Sequence, residues 1–199
     1  KNPSRFQSGH LWWKSALPDH PVERVRWQHA VEFCQALSRR ADGEYKLPTE
    51  AQWEYACRAG TTTPFNCGET ISTDLANYDG NYTYGNGQKG TYRKKTTEVK
   101  SFPANGWGLY DMHGNVWEWC RDWYDSAYYE RSDKEDPKGP NSGASRVLSW
   151  LCGDHRVLRG GSWYNSPRSC RSANRHGDDP SITLINLGFR VAYSPSSRR

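Results

Sequence analysis

An α+β domain follows from three features of this sequence. Two stretches in the first third carry a helical apolar period, several later stretches alternate with period two or are bracketed by glycine, and the connections between them are long and rich in turn formers. At 199 residues the chain makes one ordinary domain, 1–199, rather than two. Only 35% of its residues are hydrophobic, yet it holds 10 Trp and 12 Tyr, so the core has to be assembled from few, large, aromatic pieces. Each buries about 150–250 Å² and carries a polar tip that needs a partner. With 18 Gly and 11 Pro the composition suits a loop-rich fold rather than a helical bundle.

The bulk numbers also limit function. A net charge of +5, with Lys and Arg dispersed along the chain, is not the concentrated basic stripe of a nucleic-acid binder, and no nucleic acid is expected. No apolar run approaches the roughly 18 residues of a membrane span. No signal-like start is evident, which leaves the compartment open between the cytoplasm and a cell surface reached through a removed leader or lipid anchor. Cys34, Cys57, Cys67, Cys120, Cys152 and Cys170 are scattered without a CxxC pair, so reduced thiols packing as small hydrophobes are expected.

Residues 1–27 are Pro-containing and irregular, with Trp12, Trp13 and Trp27 as packing anchors. A first helix is predicted from about Gln28 to Arg39, where Ala30, Phe33, Cys34 and Leu37 recur as one apolar stripe. A second starts after Pro48: Thr49 with Gln52 three places on is a capping-box pattern, and Gly60 is placed to end it. From Thr61 to Phe102 the chain is rich in Gly, Asn, Thr and Tyr, a length of unstructured chain that signals function, disorder or cross-linking such as a metal. A central strand is predicted from Val116 to Cys120, followed by a charged loop from Asp122 to Ser145. Arg146-Val147-Leu148 is echoed by Arg156-Val157-Leu158, and the piece between, with Trp150 and Cys152, reads as inserted. A strand from about Val157 to Trp163 is interrupted by Gly160-Gly161. Residues 164–186 read as polar turns, and Leu187–Tyr193 as a closing strand.

In the central stretch the period of two puts Trp117 and Trp119 on one face and Val116, Glu118 and Cys120 on the other. An inward carboxylate at Glu118 needs a positive partner, because an unpaired buried charge costs several kcal/mol. Two readings of Asp111 and Glu118 stand side by side. In one, Asp111 closes a turn on a backbone amide and Glu118 pairs with an arginine. In the other, both give oxygens to a calcium ion completed by the carbonyls of Gly114 and Val116, although the spacing is not that of an EF-hand.

Four segments then carry a resemblance that covers nearly the whole chain. Leu47–Ala56 (LPTEAQWEYA), Gly108–Trp119 (GLYDMHGNVWEW), Arg159–Trp163 (RGGSW) and Leu187–Arg190 (LGFR), in this order, resemble the successive signatures of the formylglycine-generating-enzyme domain, a variant of the C-type lectin fold. The resemblance implies a structural calcium held by the side chains of Asp111 and Glu118 and the carbonyls of Gly114 and Val116. A second family calcium would use the region of Asn77 and Tyr78, but Thr91 and Arg93 stand where its acidic partner is expected. The family's oxidases bind copper through two cysteines, and at those places this chain has Asn165 and Cys170. One thiolate does not make the two-sulfur site that selects Cu(I), so no catalytic residue is assigned.

The segment from 164 to 186 resembles, more narrowly, the hypervariable patch of the variable proteins of diversity-generating retroelements. Adenine mutagenesis of AAY codons there never yields Lys, Glu, Gln, Met or Trp, and none of the five occurs between 164 and 186. The ligand-binding residues this implies are Tyr164, Asn165, Ser166, Ser169, His176, Gly177, Asp178, Asp179, Ser181, Ile182, Thr183, Leu184 and Ile185. Ile182, Leu184 and Ile185 either form the apolar centre of a binding patch or pack beneath the loop. The expectation is a calcium-braced, monomeric, non-catalytic protein that binds a protein target through this surface. The contrasting expectation is a divergent formylglycine-generating oxidase, or a pseudo-enzyme partner of one.

Overall fold

The computed structural model describes residues 3–4, 7–8, 15–16, 19–141 and 154–195. Trp12, Trp13, Arg146-Val147-Leu148, Trp150 and Cys152 lie outside the described residues. Its centre is a four-stranded sheet built on β4 (Trp117–Trp123), which pairs antiparallel with β5 (Arg156–Arg159) and parallel with β7 (Leu187–Phe189). The edge strand β6 (Arg175–Asp178) pairs antiparallel with β5, giving the order β6-β5-β4-β7. Two smaller ribbons complete the strands: β1 (Gln7–Ser8) with β2 (Ser15–Ala16), and β3 (Glu44–Lys46) with β8 (Ala192–Ser194).

The sheet lies between two helices. Helix α1 (Trp27–Ser38) packs Ala30 and Cys34 with Trp117, Trp119 and Leu158, while α2 (Glu50–Arg58) packs Trp53 and Cys57 with Cys120 and Val157. The predicted alternation of β4 is therefore what divides the core in two. The stripe on α1 differs from expectation, because Phe33 is 52% exposed. Residues 27, 30, 31 and 34 form the inward row, and Phe33 sits at its rim, edge-on to Phe189 with ring centroids 5.5 Å apart. For α2 the capping box is present in both halves, Gln52 N donating to Thr49 Oγ1 (3.1 Å) and Thr49 N to Gln52 Oε1 (3.0 Å). Ala59 (φ 46°) and Gly60 (φ 89°) then turn the chain left-handed and end the helix.

Three other expectations are corrected. Strand β4 continues through Asp122 and Trp123, with a bulge between Trp119 and Trp123, instead of yielding to a loop at Asp122. The glycine pair ends β5 at Arg159, since Gly160 (φ 93°) and Gly161 (φ 73°) both leave extended geometry, so Val157–Trp163 is not one strand. The closing segment is two strands in different sheets, β7 and β8, broken at Arg190 and Val191.

The long segment 61–116 is ordered without helix or strand. It carries its own core, Phe65, Ile71, Ala76 and Tyr78 around Cys170. Asparagines lace it to the sheet: Asn115 N donates to Asn77 O (2.8 Å), and the Asn115 amide bonds Thr97 at both backbone N (3.0 Å) and O (3.2 Å). Gly114 (φ 87°) has to be glycine, because a Cβ there would lie 2.3 Å from Asn77 O.

The tryptophans meet their polar requirement as they pack. Trp53 Nε1 donates to Glu118 Oε2 (2.6 Å), Trp119 to Val25 O (2.8 Å), Trp27 to Cys120 O (2.9 Å) and Trp117 to Asn165 Oδ1 (2.9 Å). Four indoles thus bind the helices, the sheet and the C-terminal segment into one frame.

Candidate functional site

The segment 164–186 runs from the end of β5 through one 3-10 turn, the edge strand β6 and the loop leading to β7. Sequence reading missed β6 because Arg175-His176-Gly177-Asp178 shows no apolar alternation; it is a strand because β5 offers it a ladder. None of the thirteen predicted contact positions is buried. Tyr164, His176, Asp179, Ser181, Thr183 and Leu184 are exposed, and Asn165, Ser166, Ser169, Gly177, Asp178, Ile182 and Ile185 are half-buried.

Two fixed indoles tie the segment's halves together. Trp117 takes Asn165 Oδ1 on its N–H and has His176 at 5.8 Å from its ring; Trp163 donates to Ile185 O (3.4 Å) with Tyr164 at 5.5 Å and Tyr92 at 6.4 Å. The loop's far end is held by backbone bonds from Trp27 N to Pro180 O (3.1 Å) and Arg24 N to Leu184 O (3.0 Å). The aliphatics divide between the two alternatives: Ile182 packs on the α1-side core, while Leu184 is 41% exposed. Asn165 is held in place, its Oδ1 accepting from both Trp117 and Ser162 Oγ (2.5 Å). It serves the frame as much as the surface.

Asp111, Gly114, Val116 and Glu118 line one cavity of about 450 Å³, together with Lys100 and Arg190. Both readings of the acids find support here. Arg190 grips Glu118 bidentately, Nε to Oε2 (2.5 Å) and Nη2 to Oε1 (2.7 Å), and Lys100 N donates to Asp111 Oδ2 (2.8 Å). Yet Asp111 Oδ1 is buried without a partner, and burial raises the Asp111 pKa. Glu118 Oε1 accepts a single bond, and a carboxylate oxygen has a second lone pair. These residues therefore fit a calcium ion alongside Arg190. Among the described residues no three His, Cys, Asp or Glu converge, so such an ion would rely on carbonyls and water for much of its shell. Near Tyr78, Asn77 Oδ1 is also buried and unpaired, but Arg93 stands where the resemblance calls for an acid.

Comparison with known proteins fits this geometry. The Sulfatase-modifying factor enzyme 1-like domain model matches residues 2–195. The chain belongs to that family. The formylglycine-generating enzyme of Streptomyces coelicolor is 36% identical over 183 residues, covering 88% of this chain and 53% of that protein. The serine/threonine-protein kinase pkn1 of Chlamydia caviae is 38% identical over 194 residues, 95% of this chain but 27% of that protein. The chain thus spans between about a quarter and about half of these relatives. Among solved structures, Treponema denticola variable protein 1 superposes with a TM-score of 0.73 at 28% identity, covering 98% of this chain and 78% of that one. PvdO from Pseudomonas aeruginosa gives 0.69 at 28%, covering 94% and 70%. The fold is the C-type-lectin-like α+β fold of this sulfatase-modifying-factor domain, and its likeness includes a variable protein.

The thiols of Cys170 and its neighbour Cys57 are shielded. Cys170 is fully buried, its Sγ donating to Ser166 O (3.8 Å), and burial pushes its pKa to about 12. Cys57 is likewise pushed to about 12 by burial. His113, isolated in the sequence, is a buried pin between them: Nε2 accepts from Asn66 N (3.0 Å), so Nδ1 carries the proton and donates to Cys170 O (2.7 Å). Burial lowers its pKa to about 4.

The frame also contains a titrating carboxylate that sequence reading left in a loop. Asp122 accepts from Glu50 N (2.9 Å) at the start of α2, and desolvation raises its pKa to about 6. A carboxyl raised from 3.8 in the unfolded chain contributes stability that is fully present below 3.8 and lost as pH rises through about 6. Asp122→Asn keeps the acceptor and the neutral state at every pH. The variant is therefore expected to be more stable than the parent at pH 7, with the difference closing as pH falls from 6 to 4. Urea midpoints at four pH values check this; parallel curves would contradict it.

Proposed function

We propose that this domain is a non-catalytic recognition module, a retroelement-type variable protein whose surface at 164–186 binds a protein target while a structural calcium braces the frame. One observation carries it. None of the thirteen candidate positions is buried, and six of them, Tyr164, His176, Asp179, Ser181, Thr183 and Leu184, are exposed above a fixed aromatic layer, so those six side chains can change without disturbing the core. Surface changes of this kind typically alter stability by about 0.5 kcal/mol or less. Asp111 and Glu118 would hold the calcium with carbonyls of Gly114 and Val116; bound there, the ion would fix the chain entering β4.

The oxidase reading has its own support in the enzyme relatives. Against it stand Asn165, whose Oδ1 is engaged by two donors, and the buried, protonated Cys170. Two observations separate the readings. A recognition module is expected to neither bind Cu(I) tightly nor consume oxygen over a cysteine-containing peptide. Its gene is expected beside a reverse transcriptase and a near-copy of the 164–186 coding segment carrying AAY codons. Copper uptake together with peptide cysteine oxidation would overturn the proposal.

A further inference from the structure

A second cavity, of about 450 Å³, opens where α1 begins, between Trp27, Trp123, Arg156, Arg26, Pro180 and Ser181. Its central group is unusual. The Arg156 guanidinium is sandwiched between two indoles, its carbon 3.7 Å from the Trp27 ring centroid and 3.3 Å from that of Trp123. Both faces are covered, so only its edges can meet a ligand. Nη1 donates to Arg121 O (2.6 Å), while Nε is buried with no hydrogen-bond partner. The side of the guanidinium made by Nε and Nη2 is the fork that grips carboxylates in two parallel bonds. Asp122 and Asp154 are near enough to favour its charge, but neither forms an ion pair with it among the described residues. Arg156 stays cationic at neutral pH, although burial lowers its pKa to about 10.

The surroundings add to the same preference. Helix α1 has Arg26 at its N-cap with no side-chain cap and no acid in its first turn, leaving the positive end of its dipole without a fixed anion. Trp27, Trp123 and Pro180 give the cavity an apolar wall.

We propose that this cavity is a binding site for a carboxylate borne on an apolar or aromatic group, gripped by the unpaired edge of Arg156 and flanked by Arg26. It goes beyond the loop reading, because five of the seven lining residues lie outside 164–186 and their chemistry does not change with the loop. On a protein target the occupant would be an acidic side chain or a C-terminal carboxylate next to an apolar residue.

The test titrates the intact protein with phenylacetate, phenylacetamide and inorganic phosphate, following the indole N–H resonances of Trp27 and Trp123. Phenylacetate is expected to saturate with a dissociation constant on the order of millimolar, and about tenfold or more below that of the amide. Arg156→Lys keeps the charge but removes the fork, and is expected to weaken phenylacetate about tenfold. Should that variant lose the fold, Arg26→Gln at the surface is the second reading, expected to weaken binding a few-fold with unchanged thermal unfolding. Equal affinity for acid and amide, tighter binding of phosphate than of phenylacetate, or no saturable shift would overturn the assignment. None of these outcomes bears on whether the 164–186 loop binds a target.

Discussion

Replacing Arg159 by methionine is expected to lower the free energy of unfolding by about 3–5 kcal/mol, as for other broken buried ion pairs. Arg159 opens the RGGSW segment and is wholly buried, 0% exposed. Its Nη2 donates to the Glu54 carboxylate and to Ser172 O (2.9 Å), its Nη1 to Asn174 O (2.5 Å), and its guanidinium lies 5.4 Å from the Trp53 ring centroid. Methionine fills much of the volume but returns none of these bonds, and it leaves Glu54 without one of its two arginines and two carbonyls without donors. Glu50 is less affected, since Arg175 holds it through Nε to Oε1 (2.8 Å) and Nη2 to Oε2 (2.7 Å). The double variant with Glu54→Gln should recover part of the loss, because the stranded charge goes with it. Urea unfolding of the four proteins measures this; a single-variant loss below about 1 kcal/mol would contradict the account.

Calcium is expected to stabilise the protein by about 4 kcal/mol at a thousandfold excess over its dissociation constant, the mass-action value for a ligand that binds only the folded state. The response should be weakened in Asp111→Asn. That substitution is the clean one: Asp111 sits at φ 56°, a left-handed conformation that asparagine also tolerates, and an Asn oxygen can still accept from Lys100 N. It removes the charge that answers the ion. Glu118→Ala is a poorer probe, since it also strips Arg190 and Trp53 of their shared acceptor. Thermal unfolding with calcium and with a chelator decides the point. Identical curves for the parent would end the bracing proposal, and an undiminished shift in Asp111→Asn would place the ion elsewhere.

What could be read from the sequence was what is local. The Thr49–Gln52 capping box and the alternation of β4 depend on neighbours in the chain, and both are present. Elements set by distant partners were not visible. Strand β6 exists because of β5 and β3 because of β8, and although a closing strand was expected where β7 lies, nothing local showed that it runs parallel to β4. At the acid pair the sequence offered arginine or calcium as the cation. Only the three-dimensional arrangement brings Arg190, 72 positions away, onto Glu118 while leaving an Asp111 oxygen unpaired. The Arg156 cavity gave no sequence signal, because its parts come from four separate segments.

The central claim is that a rigid aromatic frame presents a surface free to change. The most direct measurement randomises Tyr164, His176, Asp179, Ser181, Thr183 and Leu184 in a displayed library, heats it, and selects survivors on unrelated protein targets. The account predicts that most members survive heating as the parent does and that binders to several targets emerge. Survival confined to near-parental sequences, or folded members that never yield a binder, would contradict it.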